Sequence, residues 1–315
     1  MDFALSTNWN SARHESGEAL VDEAVALGFD GLELGYGFMP HLADGVQRRV
    51  AAGAITVGSV HAYCPVPIGA PGGHPELFLM ADCREDMRRM AVIHLLETLV
   101  FAAYMGAKAV VAHAGRVPVG ALSHRLADAH RDGRTDGWRY RLLRGRLWRR
   151  RERLAPRHLT ALRRSLDELL PAFAQERITL CLENLPSWDA VPNAGEMQDL
   201  LTGYDTPALG CWHDIGHGQV RENLGLDDHR ACAERLLSWT RGTHIHDVQP
   251  PDHDHLAPGT GLLDFSRFAF LAGPDIQRVF EPSINEEAEA LALGLRHVRA
   301  AWGLAPAMNR GSRPS

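Results

Sequence analysis

Eight short β-rich runs alternate with longer helical patterns along this chain of 315 residues, and this alternation constrains the fold most strongly. The predicted strands are residues 3–6, 31–35, 55–62, 109–115, 178–184, 208–214, 243–248 and 278–283. Helical patterns occupy 16–28, 84–106, 159–175 and 284–303. Strands separated by helices form parallel sheets, and eight such units are what a closed barrel requires. The sequence therefore predicts an α/β fold with a single (β/α)8 TIM barrel over residues 1–305. A doubly wound open sheet is the alternative, although no GxGxxG follows the first strand.

An arginine-rich segment at about 117–156 interrupts this alternation between the fourth strand and its expected helix. Residues 116–164 contain 15 arginines against four acidic residues, which leaves 18 basic and 35 acidic residues elsewhere. The formal net charge of −6 thus combines a strongly basic segment with an acidic body. We predict a helical insertion after strand 4 that acts as a lid, a contact surface or a local anion clamp. The acidic body argues against duplex nucleic acid as a partner, because duplex binding generally needs a broad basic surface.

Signals for export or membrane insertion are not evident in the sequence. The first 20 residues lack a charged segment followed by an apolar one, and no apolar run approaches the ~20 residues of a membrane helix. The five cysteines are scattered and odd in number, which argues against a disulfide framework or a thiolate zinc site. We expect a cytoplasmic protein without a membrane partner, leave a homo-oligomer open, and expect the polar tail 306–315 to be disordered.

Six of the predicted strands lead into a side chain that can bind a metal ion. These side chains are His61, His113, Glu183, Asp214, His244 and Glu281. The C-terminal ends of parallel barrel strands converge on one face, so we expect these residues to form one site. Imidazoles and carboxylates without thiolates suit Zn²⁺, Mn²⁺, Fe²⁺ or Co²⁺. The single lysine, Lys108, leaves little scope for Schiff-base chemistry, so a metal ion is the expected electrophile.

Two loops after these strands carry further side chains of the same kind. His217 follows Asp214 by three residues, a spacing that lets both reach the same or adjacent ions. After strand seven, the segment HIHDVQPPDHDHLAPGTG adds His246, His253 and His255. Adjacent side chains on an extended chain point in opposite directions, so only some of these can face a metal.

Together these motifs resemble the xylose isomerase-like TIM-barrel superfamily, also called AP endonuclease family 2. The motifs are VHAYCP, VVAHAG, LEN, HDIGH, HIHD, DHLAPGTG and FEPS, and the resemblance covers nearly the whole chain except 117–156. It implies a primary metal ion held by Glu183, Asp214, His244 and Glu281. For multinuclear members it implies additional ligands at His61, His113, His217 and His255, with His253 where an aspartate is usual. The implied cofactor is one to three divalent ions.

The superfamily contains both sugar isomerases or epimerases and the zinc phosphodiesterase endonuclease IV, so two reactions fit these residues. In the isomerase or epimerase, Glu183 and Glu281 would exchange a proton with a sugar or sugar phosphate through an enediolate, and His217 would bind the substrate. In the phosphodiesterase, Glu183 would bridge two ions that activate a water molecule. We favour the first reaction and keep the second as the alternative. A non-catalytic binding module is the third possibility.

Residues next to the strand ends are candidates for substrate binding if the barrel forms. They are Trp9, Glu33, Tyr63, Arg116, Trp188 and His246. Aromatic side chains at a barrel rim can pack on sugar faces, and Arg116, which directly follows the motif HAG, is a candidate ligand for an anion.

Overall fold

The computed structural model describes residues 1–135 and 137–305 and contains a closed barrel of eight parallel strands. The strands are β1 (Ala4–Ser6), β2 (Gly31–Leu34), β3 (Thr56–His61), β4 (Ala109–Ala112), β5 (Thr179–Glu183), β6 (Leu209–Asp214), β7 (Thr240–Ile245) and β8 (Gln277–Phe280). Each strand pairs with its neighbours in sequence, and β8 returns to β1, where Val279 lies opposite Ala4. The predicted single (β/α)8 barrel is confirmed. The predicted tail 306–315 lies outside the described residues.

The helices form the outer layer, and several begin at side-chain caps that the sequence supplies. They are α1 (Gly17–Ala26), α2 (Ala43–Ala51), α3 (Glu85–Met105), α4 (Leu122–Arg131), α5 (Trp138–Glu176), α6 (Ala194–Tyr204), α7 (Ile215–Asn223), α8 (His229–Leu236) and α9 (Ala288–Ala301). Ser16 caps α1, and Asn193 and Glu196 form a reciprocal capping box at α6. Asp214 caps α7 by accepting a hydrogen bond from the backbone of His217, which fixes the chain as it leaves β6.

Short elements complete the loops at both ends of the barrel. Among residues 1–135 and 137–305, four 3₁₀ helices occupy Ser11–Arg13, Pro40–Leu42, Leu237–Trp239 and Phe265–Ala272. Gly115–Arg116 pairs antiparallel with Ala190–Val191, and Asp247–Gln249 pairs antiparallel with His253–Leu256. No helix among the described residues is both long enough and apolar enough to cross a membrane.

The interior of the barrel is filled below the strand ends, so the polar side chains lie above a packed floor. The buried residues of this floor are Ala4, Ala109, Val111, Cys181, Trp212 and Val279. Trp212 approaches β7 so closely that a Cβ added at Gly242 would lie 2.2 Å from the indole ring. Glycine at position 242 therefore makes room for the tryptophan that closes the barrel beneath the site.

The arginine-rich segment forms α4 and the first half of α5, and α5 continues through Pro156 to Glu176 without a break. Its buried face in this half consists of Tyr140, Leu147, Arg151 and Ala155. The opposite face exposes Arg139, Arg146, Arg149, Arg150, Arg153 and Arg157, which form no ion pair with any described residue. The predicted insertion and the predicted helix 159–175 thus belong to one 39-residue helix. Residue 156 is not a structural boundary, because the buried face repeats across it at helical spacing.

Candidate metal centre and adjoining cavity

Four side chains converge above the barrel floor at the C-terminal ends of β5, β6, β7 and β8. They are Glu183, Asp214, His244 and Glu281, all buried, and their ligand atoms lie within 4.8 Å of one another. His244 Nδ1 lies 3.1 Å from Glu183 Oε1, 3.2 Å from Glu281 Oε2 and 3.6 Å from Asp214 Oδ2. The structure thus brings together the four residues that the resemblance implied as ligands of the primary ion.

Glu33 lies on the other side of His244 and orients its ring. His244 Nε2 is 3.0 Å from Glu33 Oε1, and Glu33 Oε2 accepts a hydrogen bond of 2.8 Å from Ser59 Oγ. A histidine that donates one ring N–H to a carboxylate presents its other nitrogen to a metal, the usual arrangement in metal sites. We expected Glu33 to bind substrate. Glu33 is fully buried, and both of its oxygens have these partners in the structure, so a role in binding substrate stays a prediction.

The negative charges of this cluster favour the binding of a cation. Four buried carboxylates (Glu33, Glu183, Asp214 and Glu281) surround the imidazole of His244. Burial opposes protonation of His244, yet the carboxylates of Glu281, Glu33 and Glu183 raise its pKa well above the ordinary value. Burial likewise opposes ionisation of Glu183, but His244 and His113 lower its pKa well below the ordinary value. Buried carboxylates are stable only when paired or bound to metal. Carboxylate oxygens and an imidazole nitrogen without thiolates are the donors that divalent ions such as Zn²⁺ and Mn²⁺ take in proteins, so the residues present fit a divalent ion.

A second cluster surrounds the other oxygen of Glu183. His61 Nε2 lies 3.1 Å and His113 Nε2 lies 3.2 Å from Glu183 Oε2. His61 Nδ1 lies 3.0 Å from the Ala62 carbonyl, and His113 Nδ1 lies 3.2 Å from Glu76 Oε1. Both rings therefore have an acceptor at Nδ1 and direct Nε2 towards Glu183. Because the two oxygens of Glu183 face different clusters, this carboxylate could bridge two ions.

A third cluster contains His217, His246 and His255. His217 Nδ1 lies 3.0 Å from the Asn184 carbonyl, and His255 Nδ1 lies 2.9 Å from the Glu281 carbonyl. These bonds leave Nε2 of both rings available. His246 differs, because its Nδ1 accepts a hydrogen bond of 2.8 Å from the backbone N–H of His255.

His246 and His253 lie in different surroundings, although both belong to the loop region that follows β7. With Nδ1 occupied as an acceptor, His246 donates from Nε2 to Asp214, 3.0 Å away, and is fully buried. In this position it orients Asp214, and the expectation that it binds substrate stays a prediction. His253 is exposed in the hairpin opposite Gln249 and lies outside all three clusters. The chain turns at His255, where φ is +56°, so His253 does not share the inward direction of His255.

Two aromatic residues that we expected to contact substrate are almost fully buried. Trp9 is 1% exposed, donates from Nε1 to the Glu286 carbonyl at 2.8 Å, and has Arg13 3.8 Å above its ring. Tyr63 is 2% exposed and donates to the Phe78 carbonyl at 2.7 Å. Neither lines the cavity described below, and the expectation that they contact substrate stays a prediction.

A cavity of about 600 Å³ adjoins the second and third clusters. His113, His217 and His255 line one side, and residues of α4, α5 and the loop after β5 line the other. Two predicted substrate residues, Arg116 and Trp188, do line this cavity. Arg116 is already paired, since its Nε lies 2.8 Å from both oxygens of Glu76 and its Nη1 lies 3.1 Å from Asp189 Oδ1. It is therefore not a free ligand for an anion.

Glu76 was not predicted from the sequence, and Asn8 could be recognised only as a polar residue that follows the first strand. Glu76 holds both His113 and Arg116, and although burial opposes this, those two partners lower its pKa to about 2. It lies in an irregular loop between β3 and α3, where no periodic pattern marks it. Asn8 follows β1 and donates from Nδ2 to Glu281 Oε1 at 3.3 Å, while Gly37 donates its backbone N–H to Asn8 Oδ1 at 3.2 Å. A polar residue after the first strand was the only signal for it.

Comparison with known proteins places this architecture among related barrels. The sequence model described as xylose isomerase-like TIM barrel matches residues 21–300. A comparison with curated protein sequences gives no significant match. Among solved structures, the 3-keto-D-glucoside 4-epimerase of E. coli is 19% identical, with a TM-score of 0.69 over 95% of this chain and 99% of that one.

Two further solved structures are similar, with somewhat lower TM-scores. A D-tagatose 3-epimerase-like protein is 18% identical, with a TM-score of 0.66 over 95% of this chain and 99% of that one. The D-psicose 3-epimerase of Clostridium cellulolyticum H10 is 13% identical, with a TM-score of 0.62 over 96% of this chain and 99% of that one. At these identities the likeness concerns the fold.

Proposed function

The chain belongs to the xylose isomerase-like TIM-barrel family, and from this premise we propose that it is a divalent-metal-dependent isomerase or epimerase of a sugar-like small molecule. The observation that carries the proposal is the buried cluster of Glu183, Asp214, His244 and Glu281 at the C-terminal end of the barrel. In this fold the active site lies at that end. The similar solved structures named as sugar epimerases support the same reaction class.

Glu183 and Glu281 are the proposed acid–base pair. Glu183, Asp214, His244 and Glu281 would hold the ion, which when bound polarises a substrate carbonyl and stabilises the negative charge of an enediolate. Glu183 ends β5 and Glu281 follows β8, with β6 and β7 between them, so the two carboxylates approach the centre from different sides of the barrel. One can take a proton from the carbon beside the carbonyl while the other returns one. His217 lines the cavity and can hydrogen-bond a substrate hydroxyl through Nε2.

Deuterium exchange tests this proposal directly. The protein, loaded separately with Mn²⁺, Co²⁺ or Zn²⁺, is incubated in D₂O with ketohexoses and aldohexoses, and NMR detects deuterium on the carbon beside the carbonyl. Glu183→Gln and Glu281→Gln should each slow the exchange by about 10²–10⁴-fold, the typical contribution of a positioned acid or base. Glu287→Gln, which changes an exposed glutamate near Glu281 in sequence, is the matched control and should exchange normally. Full activity of Glu183→Gln would contradict the proposal.

A second candidate function is a metal-dependent phosphodiesterase, and the second cluster is the observation that favours it. His61 and His113 both direct Nε2 to the oxygen of Glu183 that faces away from His244, so the residues fit a second ion beside the first. Paired ions are typical of phosphodiester hydrolysis. Metal analysis with a bis-aryl phosphodiester assay separates the two functions. Two or more zinc equivalents with hydrolysis and without deuterium exchange would support the phosphodiesterase.

A further inference from the structure

Tyr36 lies beside the metal clusters, in the loop that follows β2. Its ring meets the imidazole of His61 edge to face, with 5.4 Å between the ring centres. His61 in turn directs Nε2 to Glu183, 3.1 Å away. The phenol is also close enough to the carboxylates of Glu281, Glu183 and Glu33 for their charges to act on it. Tyr36 therefore borders the metal centre on the side of β2 and β3.

Two contacts hold the backbone around Tyr36 in place. Gly37 donates its backbone N–H to Asn8 Oδ1 at 3.2 Å, and Asn8 donates from Nδ2 to Glu281 Oε1 at 3.3 Å. A Cβ added at Gly73 would lie only 1.9 Å from the carbonyl oxygen of Tyr36, so the loop between β3 and α3 packs directly against this peptide group. The position of Tyr36 is therefore fixed relative to Glu281.

The hydroxyl of Tyr36 is available to a ligand. It forms no hydrogen bond with any residue that the structure describes, and it is not among the polar atoms that lack both a partner and accessible surface. The hydroxyl of Tyr63, by contrast, is used within the protein, where it donates to the Phe78 carbonyl. Burial and the carboxylates of Glu281 and Glu183 raise the pKa of Tyr36 above its ordinary value, so the phenol stays protonated and can donate a hydrogen bond.

We propose that Tyr36 is a further catalytic residue, whose hydroxyl donates a hydrogen bond to an oxygen of the reacting substrate held between Glu183 and Glu281. This inference rests on the proposed function, in which removal of a proton by one of these glutamates leaves negative charge on a substrate oxygen. A donor that is fixed in place before the reaction stabilises such a charge without rearrangement.

Tyr36→Phe tests the proposal, because it removes the hydroxyl and keeps the ring that contacts His61. Calorimetric titration of the Mn²⁺-loaded full-length protein with glycolohydroxamate, a small mimic of an enediolate, measures the contact without turnover. The variant should bind this probe about 3–10-fold more weakly, as expected for the loss of one neutral hydrogen bond. Its affinity for Mn²⁺, measured by competition with a chelator, should be unchanged.

Two results of this titration would overturn the proposal. One is the same result for both proteins, whether they bind the hydroxamate equally or neither binds it. The other is a loss of Mn²⁺ affinity as large as the loss of hydroxamate affinity, since the hydroxyl would then serve the metal ion and not the substrate.

Deuterium exchange into ketohexoses and aldohexoses measures the effect on the reaction. Tyr36→Phe should slow the exchange by about 10²–10³-fold, the typical effect of removing one donor to a developing negative charge. Tyr104→Phe, which removes the hydroxyl of an exposed tyrosine on α3, is the matched control and should behave like the wild-type protein in both assays. A loss in this control as large as in Tyr36→Phe would refute the role of Tyr36.

Failure of this inference can be told apart from failure of the proposed function. Exchange by the wild-type protein with an unchanged rate in Tyr36→Phe would overturn only the role of Tyr36. Weaker hydroxamate binding in Tyr36→Phe, without exchange by the wild-type protein, would overturn only the proposed reaction.

Discussion

Arg151 anchors the arginine-rich half of α5 to the wall of the cavity, and its removal tests whether this half is an integral part of the fold. The side chain is 1% exposed. Nη1 and Nη2 donate to the two carboxylate oxygens of Glu196 at 2.5 and 2.6 Å, Nη2 also donates to the Ala190 carbonyl at 2.8 Å, and Nε donates to the Trp188 carbonyl at 3.2 Å. Arg151→Leu would remove all four bonds and retain an apolar side chain in the helix.

The hydrogen bonds of Arg151 determine how much stability the Arg151→Leu variant should lose. Removing one partner of a buried ion pair costs about 3–5 kcal/mol. The lower end applies here, because Glu196 is 18% exposed and still accepts a hydrogen bond from the backbone of Asn193. The two freed carbonyl groups, of Trp188 and Ala190, add a penalty that overlaps with this one, so we expect a loss of about 3 kcal/mol. For a chain of this size that corresponds to a fall in Tm of roughly 4–5 °C.

Urea unfolding followed by circular dichroism measures the effect, and the neighbouring residue supplies the control. Arg150→Leu makes the same change of charge and side chain one position earlier, at an exposed arginine with no ion pair among the described residues. It should change the free energy of unfolding by no more than about 0.5 kcal/mol. Equal unfolding midpoints for the two variants would refute the reasoning, because Arg151 would then not be anchored as described.

Two further predictions concern the metal centre and the pH dependence of stability. Glu33→Gln should weaken metal binding by about 10–100-fold, since Glu33 orients His244, and competition with a chelator measures this; unchanged affinity would remove Glu33 from the site. Burial lowers the pKa of His213 to about 4 and that of its partner His229 well below the ordinary value, with their Nε2 atoms 3.1 Å apart. The unfolded chain takes up protons at these residues near pH 6.5, so the free energy of unfolding should fall below that pH by up to ~1.4 kcal/mol per pH unit for each histidine. His229→Gln should reduce this slope in urea unfolding between pH 6.5 and 4, and an unaltered slope would contradict the assignment.

The barrel and its ligand-bearing strand ends were accessible from the sequence because both depend on local pattern. Alternating strands and helices define the fold, and parallel topology then brings strand-end residues such as Glu183 and Asp214 together whatever their separation along the chain. Residues in irregular loops lack such a pattern. Glu76 lies in a long loop after β3, and nothing in its local sequence indicates that it contacts His113 and Arg116.

Besides the contacts of loop residues, the direction of individual side chains could not be predicted from the sequence. Trp9 and Tyr63 lie next to strand ends, but each side chain points into the protein and donates a hydrogen bond to a backbone carbonyl. Successive side chains of an extended chain alternate in direction, but this alternation does not hold at His255, where a positive φ changes the direction of the backbone. In α5, the arginine-rich segment was predicted to end at about residue 156, whereas the buried positions Arg151, Ala155, His158 and Leu162 continue the same helix face across it.

The two candidate reactions assign different roles to Glu183, and the surroundings of the site favour one of them. In a phosphodiesterase Glu183 would bridge two ions, and the cavity would have to accept an anionic substrate. The lining outside the metal clusters instead carries more carboxylates than guanidinium groups, and Arg116 is neutralised by Glu76 and Asp189. Burial opposes protonation of His113, yet Glu183 and Glu76 raise its pKa to about 9. A charged His113 together with His61 can hold Glu183 ionised and oriented without a second ion, as proton transfer to and from an uncharged sugar requires.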